Sequence, residues 1–304
     1  MSSFHGLWAA SVTPLTNDLL PDADRLVGHI DWLFTQGCDG VLLFGTTGEA
    51  NSFSVSERRH LLDSLAARDV DLTRVIVGTG CSAQSDTIEL TRHATDVGCP
   101  GVLMLPPFYY KSVSDDGLFG YMSQVIDHVD RDSLRVLLYH FPKMSGVGWS
   151  VHLTQRLKTT YPQIIAGIKD SSGDTDNLTL YCREIDDFDV FSGTEALLSY
   201  ALEEGGVGCI SATANLTSRL IRSVLDGEKG QADRMIRTRK ALEAFPLIPM
   251  IKHMLAEESG EEAWRALRPP LMKLSAAHES RLQEILDTIG VLPNFVEPEN
   301  DDAR

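Results

Sequence analysis

The sequence predicts a (β/α)8 barrel with a C-terminal helical extension. Three observations carry that reading: short apolar runs alternate with amphipathic stretches, the runs number eight, and strand signals stop after about residue 228. Strand–helix alternation implies parallel β-structure, and eight units close such a sheet on itself. A doubly wound open sheet is the competing arrangement.

Candidate strands lie at 8–12, 40–44, 74–78, 101–105, 135–139, 164–169, 190–193 and 207–211. Between them, 24–36, 55–68, 84–97, 115–129, 151–160 and 195–203 carry apolar residues three and four apart, the helical period. Ser54 with Glu57 three residues on makes a capping box ahead of the second of these. Beyond the barrel, 228–244, 247–257, 260–273 and 276–286 read as helices, punctuated by Pro246, Pro249, Pro269 and Pro270. The barrel is placed at 1–227 and a helical domain at 228–296. The acidic tail 297–304 is expected to be disordered.

At 304 residues, 43% hydrophobic and 23% charged, the chain has the composition of a soluble globular protein. Its net charge of −16 argues against a nucleic-acid or anionic-membrane partner, both of which need clustered Lys and Arg. An anionic substrate would need local donors, because the global field repels it. Cys38, Cys81, Cys99, Cys182 and Cys209 are scattered and odd in number, as reduced cytoplasmic thiols are. The sequence at Met1 carries no basic, apolar leader, and no stretch reaches the ~18 apolar residues of a spanning helix. The expected location is the cytoplasm, where the sequons at Asn177 and Asn215 have no meaning.

Lys169 ends the run Ile164-Ile165-Ala166-Gly167-Ile168 and precedes the polar string Asp170-Ser171-Ser172-Gly173-Asp174. A short β-branched run closed by turn residues reads as a fully buried strand. Burial at its C-terminal lip favours the neutral amine, a nucleophile toward ketones and aldehydes. Taken alone, the lysine has an alternative: its ammonium snorkels into solvent.

In a barrel the C-terminal strand ends share one face. Strand two ends in Gly45-Thr46-Thr47-Gly48-Glu49, a turn able to converge N–H groups and hydroxyls on a carboxylate. Strand four ends in the aromatic cluster Pro106-Pro107-Phe108-Tyr109-Tyr110. Strand five ends in Tyr139-His140-Phe141-Pro142, whose tyrosine, one strand from Lys169, is placed to pass protons to and from a carbinolamine. Each feature has an ordinary structural reading by itself: a Gly-Thr turn, loop packing, a satisfied core tyrosine. Their joint placement points to a Schiff-base enzyme acting on a 2-oxo acid.

Those motifs, with Gly167-Ile168-Lys169-Asp170-Ser171, Ser192-Gly193 and Ser211-Ala212-Thr213-Ala214-Asn215, resemble the dihydrodipicolinate synthase/N-acetylneuraminate lyase family of class I aldolases. Arg268-Pro269-Pro270-Leu271 resembles its C-terminal helical segment. The resemblance runs from about Trp8 to about Leu292. It implies a (β/α)8 barrel with a helical C-terminal domain, assembled as a dimer or a tetramer, with no cofactor and no metal. By this match Lys169 takes the place of the Schiff-base lysine and Tyr139 that of the proton-relaying tyrosine. Thr46 corresponds to the relay threonine, Thr47 to the one gripping the pyruvyl carboxylate, and Tyr110 to a tyrosine that crosses a subunit interface. Gly193 and Ile210 match positions whose backbone lines the pocket. Thr194 and Glu195 resemble hydroxyl-binding positions of members that cleave sugar acids; Glu195 has the alternative of capping the next helix.

The chain departs from the members that make the lysine precursor, which resemble Tyr-Asn-x-Pro-x-Arg after strand five. His140 replaces the asparagine and Met144 the arginine that binds the aldehyde's carboxylate. A thioether cannot pair with a carboxylate, and losing such a desolvated contact costs ~1.5–3 kcal/mol. Neighbouring Lys143 lacks the bidentate fork.

Three rivals stand beside this reading. Gly78-Thr79-Gly80-Cys81-Ser82-Ala83 matches the dinucleotide pattern G-x-G-x-x-A, with Asp96 downstream, but sits on the third unit rather than the first. A metal-dependent aldolase finds no H-E-x-x-H, and His140 and His152 are too far apart for one helical turn. A retired barrel serving as a ligand sensor is weighed against the intact set Lys169, Tyr139, Thr46 and Tyr110. The expectation is a cytoplasmic homo-oligomeric lyase that joins Lys169 to pyruvate or a pyruvyl-containing 2-oxo acid. Its reaction is retro-aldol cleavage or dehydration of a 4-hydroxy-2-oxo or 2-keto-3-deoxy acid; the alternative is 4-hydroxy-tetrahydrodipicolinate synthase.

Overall fold

The computed structural model describes residues 4–290 and 292. Eight parallel strands pair in chain order and close: β1 (Gly6–Ala10), β2 (Gly40–Leu43), β3 (Val75–Gly78), β4 (Val102–Met104), β5 (Val136–His140), β6 (Ile165–Asp170), β7 (Asp189–Ser192) and β8 (Gly208–Ser211). β1 pairs with both β2 and β8, which excludes the open doubly wound sheet. Strand side chains alternate between two cores, as the period of two requires. Trp8, Leu42, Ile76, Leu103, Leu137, Phe191 and Ile210 fill the barrel interior. Their neighbours Leu7, Val41, Val75, Val102, Val136, Val190 and Cys209 face the surrounding helices.

The helices on the barrel's outside are α1 (Ala23–Thr35), α2 (Val55–Ala66), α3 (Gln84–Asp96), α4 (Asp115–Val129), α5 (Pro142–Ser145), α6 (Val151–Thr160), α7 (Thr175–Glu184), α8 (Leu198–Glu203) and α9 (Ala214–Leu225). The capping box at Ser54 and Glu57 forms as expected. α7 and α9 fall outside the expected helices. The Asp174 carboxylate caps α7 by accepting from the Asp176 and Asn177 N–H groups. α9 buries Leu216, Leu220 and Ile221 on one face, together with the polar Asn215, Thr217 and Ser218. The stretch at 195–203 splits into a single 3-10 turn, Glu195–Leu197, and α8.

The extension contains α10 (Gln231–Leu242), α11 (Leu247–Ser259) and α12 (Ala276–Ile289). The helix expected at 260–273 is not there: a 3-10 turn at Glu262–Arg265 is followed by non-helical chain. Pro269 and Pro270 explain the difference, since each removes an N–H donor and pushes the preceding residue out of the helical region. Met250, Ile251, Leu255, Trp264 and Leu282 bury a second core that takes in Val12 and Leu216 from the barrel. The tail at 297–304 and the end of the expected helical domain lie outside the described residues.

One irregularity sets the direction of Lys169. Along the β5–β6 pairing, Val136 is opposite Ile165, but Leu137 is opposite Gly167, so β6 carries one residue more than β5 at that step. A shift of one residue turns every later side chain to the opposite face. Ile165 faces the helices. Without the extra residue, strict alternation would send Lys169 outward as well. With it, Lys169 is opposite Tyr139 on β5 and Phe191 on β7, both interior residues. Gly167 makes this possible, because a Cβ there would lie 2.1 Å from the Asp189 carbonyl oxygen.

Gly167→Ala is therefore expected to destabilise the protein by about 1–3 kcal/mol, the usual cost of overpacking. Gly28→Ala, on an α1 position with nothing within 4 Å of the new methyl, should be neutral or stabilising by about 0.4–1 kcal/mol. Urea denaturation of the two variants checks the contrast.

Candidate active site

A cavity of about 900 Å3 opens at the C-terminal ends of the strands. Lys169, Tyr139, Thr46, Thr47 and Gly193 all line it, and α10, α11 and residues 270–275 complete its walls. Five residues expected from the sequence are thus brought to one cavity.

Lys169 is 4% exposed, and among the described residues no carboxylate lies within ion-pair distance of it. Burial lowers its pKa to about 7, with the Arg239 guanidinium adding to the effect. Its Nζ stands 4.6 Å from the centroid of the Tyr139 ring. The Tyr139 hydroxyl lies 3.3 Å from Thr46 Oγ1. Burial pushes the Tyr139 pKa up, so the phenol holds its proton at neutral pH. Amine, phenol and threonine hydroxyl thus stand in sequence around one wall.

The turn that carries Thr46 and Thr47 is held from below. Glu49, in the left-handed region at φ 58°, sends its carboxylate into a fully buried pair with Lys252 of α11. Lys252 also donates to the Ala266 carbonyl at 2.9 Å, and the Arg268 N–H reaches Glu49 Oε2 at 3.4 Å. Arg268 further pairs with Glu57 at the start of α2. The C-terminal extension thereby grips the threonine turn.

Other expected residues stand elsewhere. Glu195 does not line the cavity: Ser211 Oγ donates to it at 2.5 Å, Thr213 Oγ1 donates to its other oxygen, and Arg239 Nη1 lies 3.4 Å away. Its acceptor capacity is taken up, which corrects the expectation that it receives substrate hydroxyls. The alternative capping role belongs to Thr194, whose hydroxyl accepts the Ala196 N–H. Ile210, expected to line the pocket through its backbone, is not among the cavity's lining residues; its side chain packs in the barrel interior with Tyr139 and Phe191. Tyr110 is 75% exposed, stacked edge-on with Tyr109, and does not reach the cavity of its own chain. Lys143 and Met144 both line the mouth. His140 is engaged away from it, its Nδ1 accepting the Trp149 N–H at 3.1 Å.

Sequence reasoning missed Arg239, Glu243 and Lys252. A signal for the first existed: Met235, Thr238, Arg239 and Leu242 follow the i, i+3, i+4, i+7 spacing of a buried helical face. The glycines of the G-x-G-x-x-A motif also find their reason here. A Cβ on Gly78 would meet the Phe44 carbonyl at 2.1 Å, and one on Gly80 would meet the Leu105 nitrogen at 2.5 Å. Close strand packing demands them.

Comparison with known proteins bears on the whole of this arrangement. The family model described as the dihydrodipicolinate synthetase family matches residues 3–289. The chain belongs to that family. It is a lyase of the family by this membership. A relative named as an uncharacterized DapA-like lyase, from Chloroflexus aurantiacus, is 34% identical over 296 residues, covering 95% of this chain and 98% of its own. A protein of Agrobacterium fabrum named 4-hydroxy-tetrahydrodipicolinate synthase is 30% identical, covering 95% and 99%. The crystal structure of dihydrodipicolinate synthase from Agrobacterium tumefaciens superposes with a TM-score of 0.88 at 33% identity, covering 94% and 99%. That of YagE from E. coli K12, in complex with pyruvate, gives 0.84 at 27%, covering 95% and 99%. Among the described residues no helix is long and apolar enough to cross a membrane.

Two predictions follow from the buried charges. Removing one partner of a buried pair strands the other, so Lys252→Met is expected to cost about 3–5 kcal/mol in chemical denaturation. Lys169 has the opposite sign. Its folded pKa of about 7 lies below the ordinary 10.5, so the unfolded chain binds the extra proton. The destabilisation is complete below pH 7 and disappears as pH rises toward 10.5. Lys169→Met should therefore gain stability on the order of a few kcal/mol at pH 7 and progressively less toward pH 10, read as the difference between variant and wild-type melts.

Proposed function

We propose that this lyase works through a Schiff base between Lys169 and the carbonyl carbon of pyruvate or a pyruvyl-containing 2-oxo acid. The observation that carries this reading is a buried lysine with no carboxylate partner among the described residues, its pKa lowered to about 7, lying over the Tyr139 ring in a 900 Å3 cavity. The neutral amine adds to the ketone, the carbinolamine loses water, and the resulting iminium draws electrons from the adjacent carbon. Tyr139, backed by Thr46, supplies and recovers the protons of dehydration and hydrolysis. Thr47 and the N–H groups of its turn receive the carboxylate. Tyr110 enters from the neighbouring subunit of a homodimer or homotetramer, an assignment its 75% exposure supports.

The reaction we favour is retro-aldol cleavage or dehydration of a 4-hydroxy-2-oxo or 2-keto-3-deoxy acid. In cleavage, a base takes the 4-hydroxyl proton, the C3–C4 bond breaks, and its electron pair enters the iminium to give an enamine. In dehydration a base instead takes a C3 proton to give the enamine, whose electron pair then expels the 4-hydroxyl, protonated as it leaves, as water. Synthesis of 4-hydroxy-tetrahydrodipicolinate is the second reading, favoured by the names of relatives at about 30% identity. Against it stands Met144, 64% exposed at the cavity mouth, where an arginine would hold the aldehyde's carboxylate.

Incubation with pyruvate, borohydride reduction and peptide mass analysis should place one pyruvyl adduct on Lys169 and none on Lys169→Ala. Near-normal turnover by Lys169→Ala would refute the mechanism. Tyr139→Phe is expected to slow turnover about 10²–10⁴-fold, the scale of a lost proton-transfer group. For the second reading, Met144→Arg should improve turnover of aspartate semialdehyde with pyruvate if that synthesis is nearly supported, and leave it unchanged otherwise.

A further inference from the structure

We propose that the substrate carries a second anionic group at the end remote from its 2-oxo acid, and that Arg239 on α10 receives it. This rests on the Schiff-base reading, which fixes the carbonyl end at Lys169. Arg239 is only 8% exposed, yet it lines the cavity. Its Nε donates to Glu243 Oε1 at 2.7 Å. Its Nη1 reaches Thr213 Oγ1 at 3.0 Å, Glu195 Oε2 at 3.4 Å and Ser211 Oγ at 3.5 Å. The other amino nitrogen, Nη2, has no partner among the described residues. A guanidinium carries its donors in a fixed plane. Pinned through Nε and Nη1, it can offer Nη2 to the cavity without a change of conformation.

Glu195 and Glu243 hold this cation in place, and further positive charge lies close by. Lys143 and Lys273 line the same cavity and make no hydrogen bond or ion pair among the described residues. The Lys143 ammonium reaches over the loop leaving β6, 3.4 Å from where a Cβ on Gly173 would stand. The cavity thus sets Lys143, Arg239 and Lys273 against one lining carboxylate, Glu243, and Glu195 behind Arg239. In a chain of net charge −16 this is a local reversal of sign. Such a reversal concentrates anions and orients them on approach. A single carboxylate is already provided for at the Thr46–Thr47 turn, which leaves Arg239 for another.

The test compares 2-oxo acids of equal length as competitors of pyruvate in borohydride trapping. 2-Oxoglutarate and 2-oxoadipate carry the distal carboxylate; 2-oxopentanoate and 2-oxohexanoate lack it. Wild type is expected to prefer the diacid of at least one pair about ten- to hundredfold, the scale of one desolvated charged hydrogen bond. Arg239→Gln should bring that ratio near one. Because the ratio is taken within one variant, a general loss of reactivity cancels. Arg239→Lys keeps the charge that Glu195 and Glu243 require while losing the fork; it should lose most of the preference and covers the case in which Arg239→Gln does not fold. Pyruvate trapping without any diacid preference in wild type overturns the inference alone, as does a preference that survives in both variants. Failure to trap pyruvate overturns the Schiff-base reading and this inference with it.

Discussion

One extra residue in β6 decides which way Lys169 points. Strict alternation from Ile165 would put the lysine in the layer between the strands and the outer helices, away from the cavity. The register step past Val136 turns it inward, opposite Tyr139, and a glycine at 167 is what lets the strand sit that close to Asp189. Irregular pairing that re-aims a side chain costs ladder regularity, and it persists where the surrounding barrel holds the strand on both sides. Here β5 and β7 do so, pairing with β6 through the lysine itself.

The consequence is an amine in a site that disfavours its charge. A buried cation without a carboxylate partner titrates low, and the stability forgone is the counterpart of nucleophilicity near neutral pH. The contrast with Lys252 is instructive. Both lysines are buried, but Lys252 meets Glu49 and the Ala266 carbonyl and serves as a fastening between α11 and the threonine turn. Burial lowers the pKa of both, but at Lys252 the Glu49 carboxylate works against it and makes the side chain a clasp, whereas Lys169 has no carboxylate partner among the described residues.

Much of this was legible in the sequence because it is local. The eight apolar runs, the Ser54–Glu57 capping box and the polar strand ends are patterns within ten residues, and the barrel topology brings the strand ends together without further information. What was hidden depends on distance. Glu49 and Lys252 meet across 203 positions and Arg239 meets Glu195 across 44, so neither pairing leaves a periodic trace. Glu195 looked open for substrate because its satisfaction by Ser211 and Thr213 is a tertiary fact. The helix expected at 260–273 failed for a local reason that was visible: Pro269 and Pro270 outweigh the apolar spacing around them. α7 and α9 carried a signal that was passed over: Leu178, Tyr181 and Cys182, and Leu216, Leu220, Ile221 and Val224, stand at helical spacing.

The central claim is that a substantial fraction of Lys169 is already neutral near pH 7 before any substrate arrives. Labelling the lysines with 13C at Cε and following the Lys169 resonance, assigned by its loss in Lys169→Met, measures this in the free protein. A titration midpoint near pH 7, well apart from the surface lysines, is the result this account predicts. A midpoint in the ordinary range near 10.5 would contradict it, because the amine would then enter the reaction protonated.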